Sequence, residues 1–176
     1  EIGQVQKDTP PRGNTAKVET LKGAVQLSGF AKSAQERSLA EQLARAEGWK
    51  VSKRSDLAVD AEPRVDIVVL DSIGELATVY QLGTVVFVGG SLVDVGGHNI
   101  LEPAVFGKPI VFGPHMQNFL EIADAFVSNG AGVQVQGEEE LDEAFVSLMG
   151  DPVRRARRGA AARALVEANR GANEKS

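Results

Sequence analysis

Cysteine is absent from this 176-residue chain, which excludes disulfides, thiolate zinc sites and a cysteine nucleophile, and is neutral about compartment. Histidine is scarce: His98 and His115 are the only two, too few for a histidine-built metal centre, and neither a metal ion nor a cofactor is expected. A basic surplus is also missing. Nineteen lysines and arginines against 24 acidic residues leave a formal net charge of -5, which argues against a general nucleic-acid binder. No apolar run reaches the roughly 18 residues of a membrane span, and the amino terminus shows no basic-then-apolar leader pattern. The sequence therefore predicts neither a span nor self-directed export. What is present, 43% hydrophobic residues, suffices for one sizeable core and predicts one main domain.

Residues 1–15 read as a polar tail carrying Pro10, Pro11 and Gly13, ahead of a domain over 16–176. Val18, Thr20 and Ala24-Val25-Gln26-Leu27 around Lys22-Gly23 suggest a β-hairpin. Ser33 and Glu36 have capping-box spacing ahead of Leu39, Ala40, Leu43 and Ala44, so a helix is expected over 34–47, stopped by Gly48. Short apolar strands are predicted at 49–51, 67–70, 85–88, 110–112 and 133–135. Helices are predicted between most of them, near 73–81, 100–106, 117–129 (closed by Gly130) and 138–149. This alternation implies a Rossmann-like α/β fold, a parallel sheet flanked by helices. A last helix starts at Asp151-Pro152, its apolar side predicted through Val153, Ala156, Ala160, Ala164, Leu165 and Ala168. The arginines Arg154, Arg155, Arg157, Arg158 and Arg163 are read as its solvated face.

Chemistry concentrates in Val86-Phe87-Val88-Gly89-Gly90-Ser91-Leu92-Val93-Asp94-Val95-Gly96-Gly97-His98-Asn99-Ile100-Leu101-Glu102-Pro103. A buried strand feeding a four-glycine loop and then a helix puts backbone N–H groups at the carboxyl edge of a parallel sheet, where such sheets bind ligands. Glycine permits positive φ and close approach to an anion, so a nucleotide phosphate is one guest; a plain structural turn is the other reading. Glu102, three residues after Asn99, has helix-capping spacing, as has Glu75 after Ser72. His98 is either an anion donor or a polar surface group, and His115 and Asn118 open the next helix, Asn118 as a cap.

The stretch GGSLVDVGGHNILEPAVFGKPIVFGPHMQNFLEIADAF resembles the carboxyl-terminal core of the bacterial 3-deoxy-D-manno-octulosonic acid (Kdo) transferases, a GT-B glycosyltransferase family. The likeness extends through Lys53-Arg54-Ser55-Asp56-Leu57, Asp71-Ser72-Ile73-Gly74-Glu75-Leu76 and Ala168-Asn169-Arg170-Gly171-Ala172, so that 49–176 is the transferase-like part. It implies one half of a GT-B fold, the half that holds CMP-Kdo or CMP. The donor contacts it implies are Ser72, Ile73, Gly74, Glu75, Gly89, Gly90, Ser91, Gly96, Gly97, His98, Asn99 and Glu102, with Glu102 on the ribose; His115 is a weaker candidate for the border of the sugar site.

Two departures accompany the resemblance. The family's first strand and its Pro-Arg-His-Pro-Glu-Arg stretch are absent, and residues 16–35 look instead like part of a BON domain, an envelope-protein module, giving 16–48 an atypical start and the chain the make-up of a chimera. The acceptor domain with the family's catalytic carboxylate is expected to be a missing partner. The resemblance then implies a chain that binds the donor and stabilises departing CMP, inactive alone, from an enzyme that transfers Kdo to a lipid A precursor at the cytoplasmic face of the inner membrane. The competing readings are a non-enzymatic envelope-type binding module or scaffold, and the donor domain of another GT-B glycosyltransferase using, for example, UDP-sugars.

Overall fold

The structure, a computed structural model, describes residues 34–57 and 64–173. The expected hairpin, the capping serine Ser33 and the tail at 1–15 lie outside the described residues. Helix α1, Ala34–Ala46, stops where Gly48 takes φ +89°, its N–H donating to Arg45 O at 3.0 Å. Five parallel strands and five further helices alternate after it: β1 (Val51–Lys53), β2 (Ile67–Val69), α2 (Leu76–Leu82), β3 (Val86–Val88), α3 (Leu101–Val105), β4 (Ile110–Phe112), α4 (Leu120–Ser128), β5 (Gly132–Gln134), α5 (Glu138–Gly150) and α6 (Pro152–Asn173).

The strands form two groups, β1 beside β2 and β3-β4-β5 in that order, all parallel. Val51 pairs with Ile67, Val86 with Ile110, and Ile110 with Gly132. Parallel pairing requires a crossover between strands, which α3 supplies from β3 to β4 and α4 from β4 to β5. It also gathers the loops that leave each group of strands at one carboxyl edge.

Strand β4 is the centre of the core, with Ile110, Val111 and Phe112 all fully buried. Because side chains alternate across a strand, Ile110 and Phe112 face one layer and Val111 the other. The first layer joins Ile110 and Phe112 to Ile100 and Ala104 around α3, Ala123 and Phe126 of α4, and Ala162 and Val166 of α6. The second joins Val111 to Val135 and to Leu141 and Leu148 of α5. Burying each large apolar side chain contributes about 1.5–3 kcal/mol, so this three-strand unit holds most of the stabilising contacts.

Several boundaries and faces differ from the expectations. β1 begins two residues later than predicted, because Lys50 is occupied at the strand entry: its N–H donates to Asp66 Oδ2 at 2.8 Å and its carbonyl accepts from the Asp66 and Ile67 N–H groups. The helix expected from 117 starts as a 3-10 turn, Gln117–Phe119, before α4 proper; Asn118 makes no capping bond, and Gly130 follows the helix end at φ +66° as expected.

The apolar side predicted for α6 is wrong: Val153 is 77% exposed and Ala156, Ala160, Ala164 and Ala168 are exposed. The buried stripe runs through Gly159, Ala162 and Val166, flanked by Leu165. In a helix of alanines and arginines, hydrophobicity marks no single face, and backbone approach decides instead. Gly159 meets Gly107 at the end of α3 so closely that a Cβ there would overlap the Gly107 carbonyl. Two arginines also leave the solvated face assigned to them. Arg155 Nη1 donates to Leu148 O at 2.7 Å and Met149 O at 2.6 Å, capping α5, and Arg158 Nη1 donates to Gly132 O at 2.9 Å and Gly130 O at 3.1 Å. Asp151 caps α6 as predicted, accepting from the Arg154 N–H at 2.8 Å. Among the described residues no helix is long and apolar enough to cross a membrane.

Candidate functional site

The loop 89–99 leaves the buried end of β3 and enters α3 at the carboxyl edge of its sheet. Its anchor is Ser91, fully buried, whose hydroxyl donates to Val88 O at 2.5 Å and accepts from the Gly113 N–H at 2.8 Å. The Ser91 carbonyl accepts from the His115 N–H at 2.9 Å. One side chain therefore fastens the ends of β3 and β4 together, and its hydroxyl proton is already committed. Gly113 can sit there only without a side chain, since a Cβ would overlap the backbone of Ser91.

Glycine is required at 97 on two counts. Its φ is +70°, and a Cβ would strike Met116 Sδ and the His115 carbonyl. Its N–H turns inward to Gly90 O at 2.9 Å, so this donor serves the loop. The N–H groups of Gly96 and Asn99 meet no protein acceptor among the described residues. Gly89, Gly90 and Gly96 are buried beside them, Gly90 and Gly96 with positive φ, and a Cβ at Gly90 would lie 3.5 Å from His98 Nε2. The imidazole of His98 thus lies against the floor of the turn, half-buried.

Asn99 and Glu102 open α3 in a variant of the expected cap. Asn99 Oδ1 accepts from the Leu101 N–H at 3.0 Å and Asn99 Nδ2 donates to Glu102 Oε1 at 3.3 Å, so the side chains pair with each other and Glu102 does not reach back to the backbone. Glu102 remains exposed, and its charge together with burial pushes the half-buried Tyr80 hydroxyl of α2 above its ordinary pKa, burial being the larger cause. With only five residues, α3 carries a small dipole, so any hold on an anion rests on the loop N–H groups and not on the helix end.

The second group of predicted residues follows β2. Ser72 and Glu75 do not form a capping box: the Ser72 hydroxyl donates to the Glu75 carboxylate, and Glu75 itself stands at the N-cap position of α2 without a side-chain cap. Arg54 Nη2 pairs with Glu75 Oε1 at 3.3 Å, tying the exit of β1 to that of β2. Beside them Asp71 accepts from the Ser55 hydroxyl at 2.7 Å and the Ser55 N–H at 3.0 Å, bonds that hold its carboxyl below the ordinary value. Ile73 is completely exposed, next to Gly74 at φ +89°. No hydrogen bond joins 72–75 to 89–102 among the described residues; Tyr80 beside Glu102, where α2 packs on α3, is the link between the two groups.

Arg54, Ser55 and Asp71 carry no local signature of a network, because each contact spans 16 or more residues. An open groove of about 370 Å³ lies past β5, lined by Gln136, Gly137, Glu138, Glu139 and Glu140, and its three carboxylates disfavour an anionic guest. Among the described residues no group of three or more histidines and carboxylates could hold a metal ion.

Comparison with known proteins bears on this geometry. No family model matches the chain. The C-terminal CMP-Kdo binding domain of WaaA from Acinetobacter baumannii superposes with a TM-score of 0.66 at 31% sequence identity, covering 73% of this chain and 66% of that one. The 3-deoxy-D-manno-octulosonic acid transferase of Bordetella pertussis is 30% identical over 132 residues, 75% of this chain and 31% of that protein. The Haemophilus influenzae transferase is 35% identical over 131 residues, 74% of this chain and 30% of its own length. This chain is a homologue of the carboxyl-terminal domain of the Kdo transferases. Its α/β architecture is accordingly one half of a GT-B fold. A bifunctional glycosyltransferase/methyltransferase of Fusobacterium nucleatum is also similar, 34% identical over 109 residues, 61% of this chain and 17% of that protein. The Kdo-transferase homologue spans less than a third of the length of these curated relatives.

Proposed function

We propose that this chain binds the cytidine nucleotide of CMP-Kdo, as the donor half of an enzyme that transfers Kdo to a lipid A precursor. One observation carries the reading: the loop 89–102 has the buried anchor, positive-φ glycines and, among the described residues, N–H groups without protein acceptors of an anion turn, within a fold shared with a CMP-Kdo binding domain. The phosphate lies against the N–H groups of Gly96 and Asn99 with His98 below, beside Gly89, Gly90 and Gly97. Glu102, exposed and steadied by Asn99, accepts from the ribose hydroxyls. Ser72, Ile73, Gly74 and Glu75 border the base, with Arg54 fixing Glu75. Ser91 acts by positioning, since its hydroxyl is committed to Val88 and Gly113.

In the transfer, the bond from the anomeric carbon to the phosphate oxygen breaks as the acceptor hydroxyl attacks from the opposite face, and charge grows on CMP. Preorganised donors around the phosphate stabilise that charge without reorganising. The proton of the acceptor hydroxyl goes to a base on a partner domain, which sits with this half at the cytoplasmic face of the inner membrane. This chain by itself is therefore a binding unit with no turnover.

Titration of the isotope-labelled chain with CMP, followed by amide NMR, tests the reading. Shifts confined to 71–76 and 89–102, with CMP displacing UDP, are expected. Preference for UDP would assign the chain to another GT-B donor class, and a well-dispersed spectrum unmoved by millimolar CMP would leave it a scaffold.

A further inference from the structure

The polar side chains of Asp94, His115 and Gln117 form a cluster that the nucleotide contacts do not use. Asp94 is near the tip of the glycine loop, and His115 and Gln117 are in the loop leaving β4. Gln117 Nε2 donates to Asp94 Oδ1 at 3.0 Å and lies 3.4 Å from His115 Nδ1. Asp94 Oδ1 to His115 Nδ1 is 3.7 Å, too long for a hydrogen bond, so the amide of Gln117 is the bridge. With an amide donor facing Nδ1, the neutral ring carries its proton on Nε2, where it is a donor to solvent. Asp94 Oδ2, Gln117 Oε1 and His115 Nε2 take no protein hydrogen bond among the described residues, although all three side chains are held. The cluster is seated directly on the anion turn. The Asn118 N–H donates to Gly96 O at 3.2 Å, and a Cβ on Gly96 would strike the Asn118 side chain.

Two acceptors and one donor, prepositioned and wet at the rim, suit a polyhydroxylated ligand with an acidic group: carboxylate and amide oxygens accept hydroxyls, and the imidazole N–H meets a carboxylate. Glu102 lies beside Tyr80 of α2, the helix that follows the 72–75 turn, whereas this cluster joins the loop to the segment that leaves β4. A nucleotide whose phosphate rests on the turn and whose ribose meets Glu102 therefore directs its phosphate substituent to the cluster. We propose that Asp94, Gln117 and His115 form the subsite for the transferred sugar acid, an inference that rests on the nucleotide reading above. Asp94 and Gln117 select the hydroxyls and His115 the carboxylate.

The test compares affinities of CMP and CMP-Kdo for the chain and for Asp94→Ala and Gln117→Ala, by amide NMR titration. Both positions are exposed, and Asp94→Asn, which keeps the shape, serves as a second variant if the alanine disturbs the loop. The expected result is that CMP-Kdo binds the variants about tenfold more weakly while CMP is unchanged within about twofold, the loss of one charge-assisted bond. Equal weakening of both ligands would make the cluster a loop fastener, and unchanged CMP-Kdo affinity would remove it from the site; either overturns the subsite and leaves the nucleotide reading intact. Failure of the unaltered chain to bind CMP would overturn the nucleotide reading and the subsite with it.

Discussion

Replacing Ser91 by alanine removes one oxygen from the middle of the molecule. The change leaves the Gly113 N–H, donating at 2.8 Å in the native chain, buried without its acceptor, and takes the hydroxyl donor from Val88 O. An unsatisfied buried amide costs about 1–3 kcal/mol and a lost neutral hydrogen bond about 0.5–1.5 kcal/mol, so a loss of about 3 kcal/mol is expected. Urea unfolding of the two chains measures it: with a slope of about 2 kcal/mol per molar, the midpoint falls by about 1.5 M with the slope unchanged. Thermal unfolding should drop by about 6–12 °C for a domain of this size. The Ser91 carbonyl also receives the His115 N–H, so amide exchange at His115 and Gly113 should accelerate more than at Leu148. A midpoint shift under about 0.3 M would refute the reasoning, because it would mean that the backbone finds another acceptor for Gly113 at almost no cost.

Gly159→Ala forces a methyl group onto the Gly107 carbonyl, and separating the two backbones should cost about 1–3 kcal/mol of overpacking; Gly150→Ala, where nothing lies within 4 Å, should stay within about 1 kcal/mol of the parent in the same unfolding assay. The Asp71 carboxyl is held below the ordinary aspartate range, chiefly by the Ser55 hydroxyl and N–H. A depressed carboxyl contributes stability that is complete above the unfolded value and is lost as pH falls through the folded one. Ser55→Ala should therefore move the Asp71 carboxyl carbon titration upward and narrow the stability gap between pH 5 and pH 2.

Much of the fold could be read in the sequence where pattern and burial coincide. Ile110-Val111-Phe112 is an uninterrupted apolar triplet, and because both faces of β4 are covered, its predicted bounds and observed bounds are the same. Gly48 and Gly130 marked helix ends through the left-handed φ they adopt. Where composition is uniform, sequence was mute: the alanine-rich α6 turned a face inward that only Gly159 against Gly107 explains. Arg155 and Arg158 looked solvated, since nothing local shows that carbonyls at the ends of α5 and α4 point toward them. At the site, the glycine loop was conspicuous because its backbone needs are local. The capping spacings misled at Ser72, where Arg54 and Ser72 together hold the Glu75 carboxylate. Contacts between distant segments, Asp71 with Ser55 and Gln117 with Asp94, leave no periodic trace.

The meeting of Gly107 with Gly159 bears on how this domain can be divided. A five-residue helix makes too few internal hydrogen bonds to persist unaided, so α3 owes its orientation to the surface behind it. That surface is α6, the last described helix, which presses bare backbone against the end of α3 and puts Ala162 and Val166 into the same layer as Ile100 and Ala104. A fragment cut before Pro152 would keep every residue of the glycine loop and lose the wall that aims Glu102. The far end of the chain thus sets the geometry of a segment some fifty positions earlier.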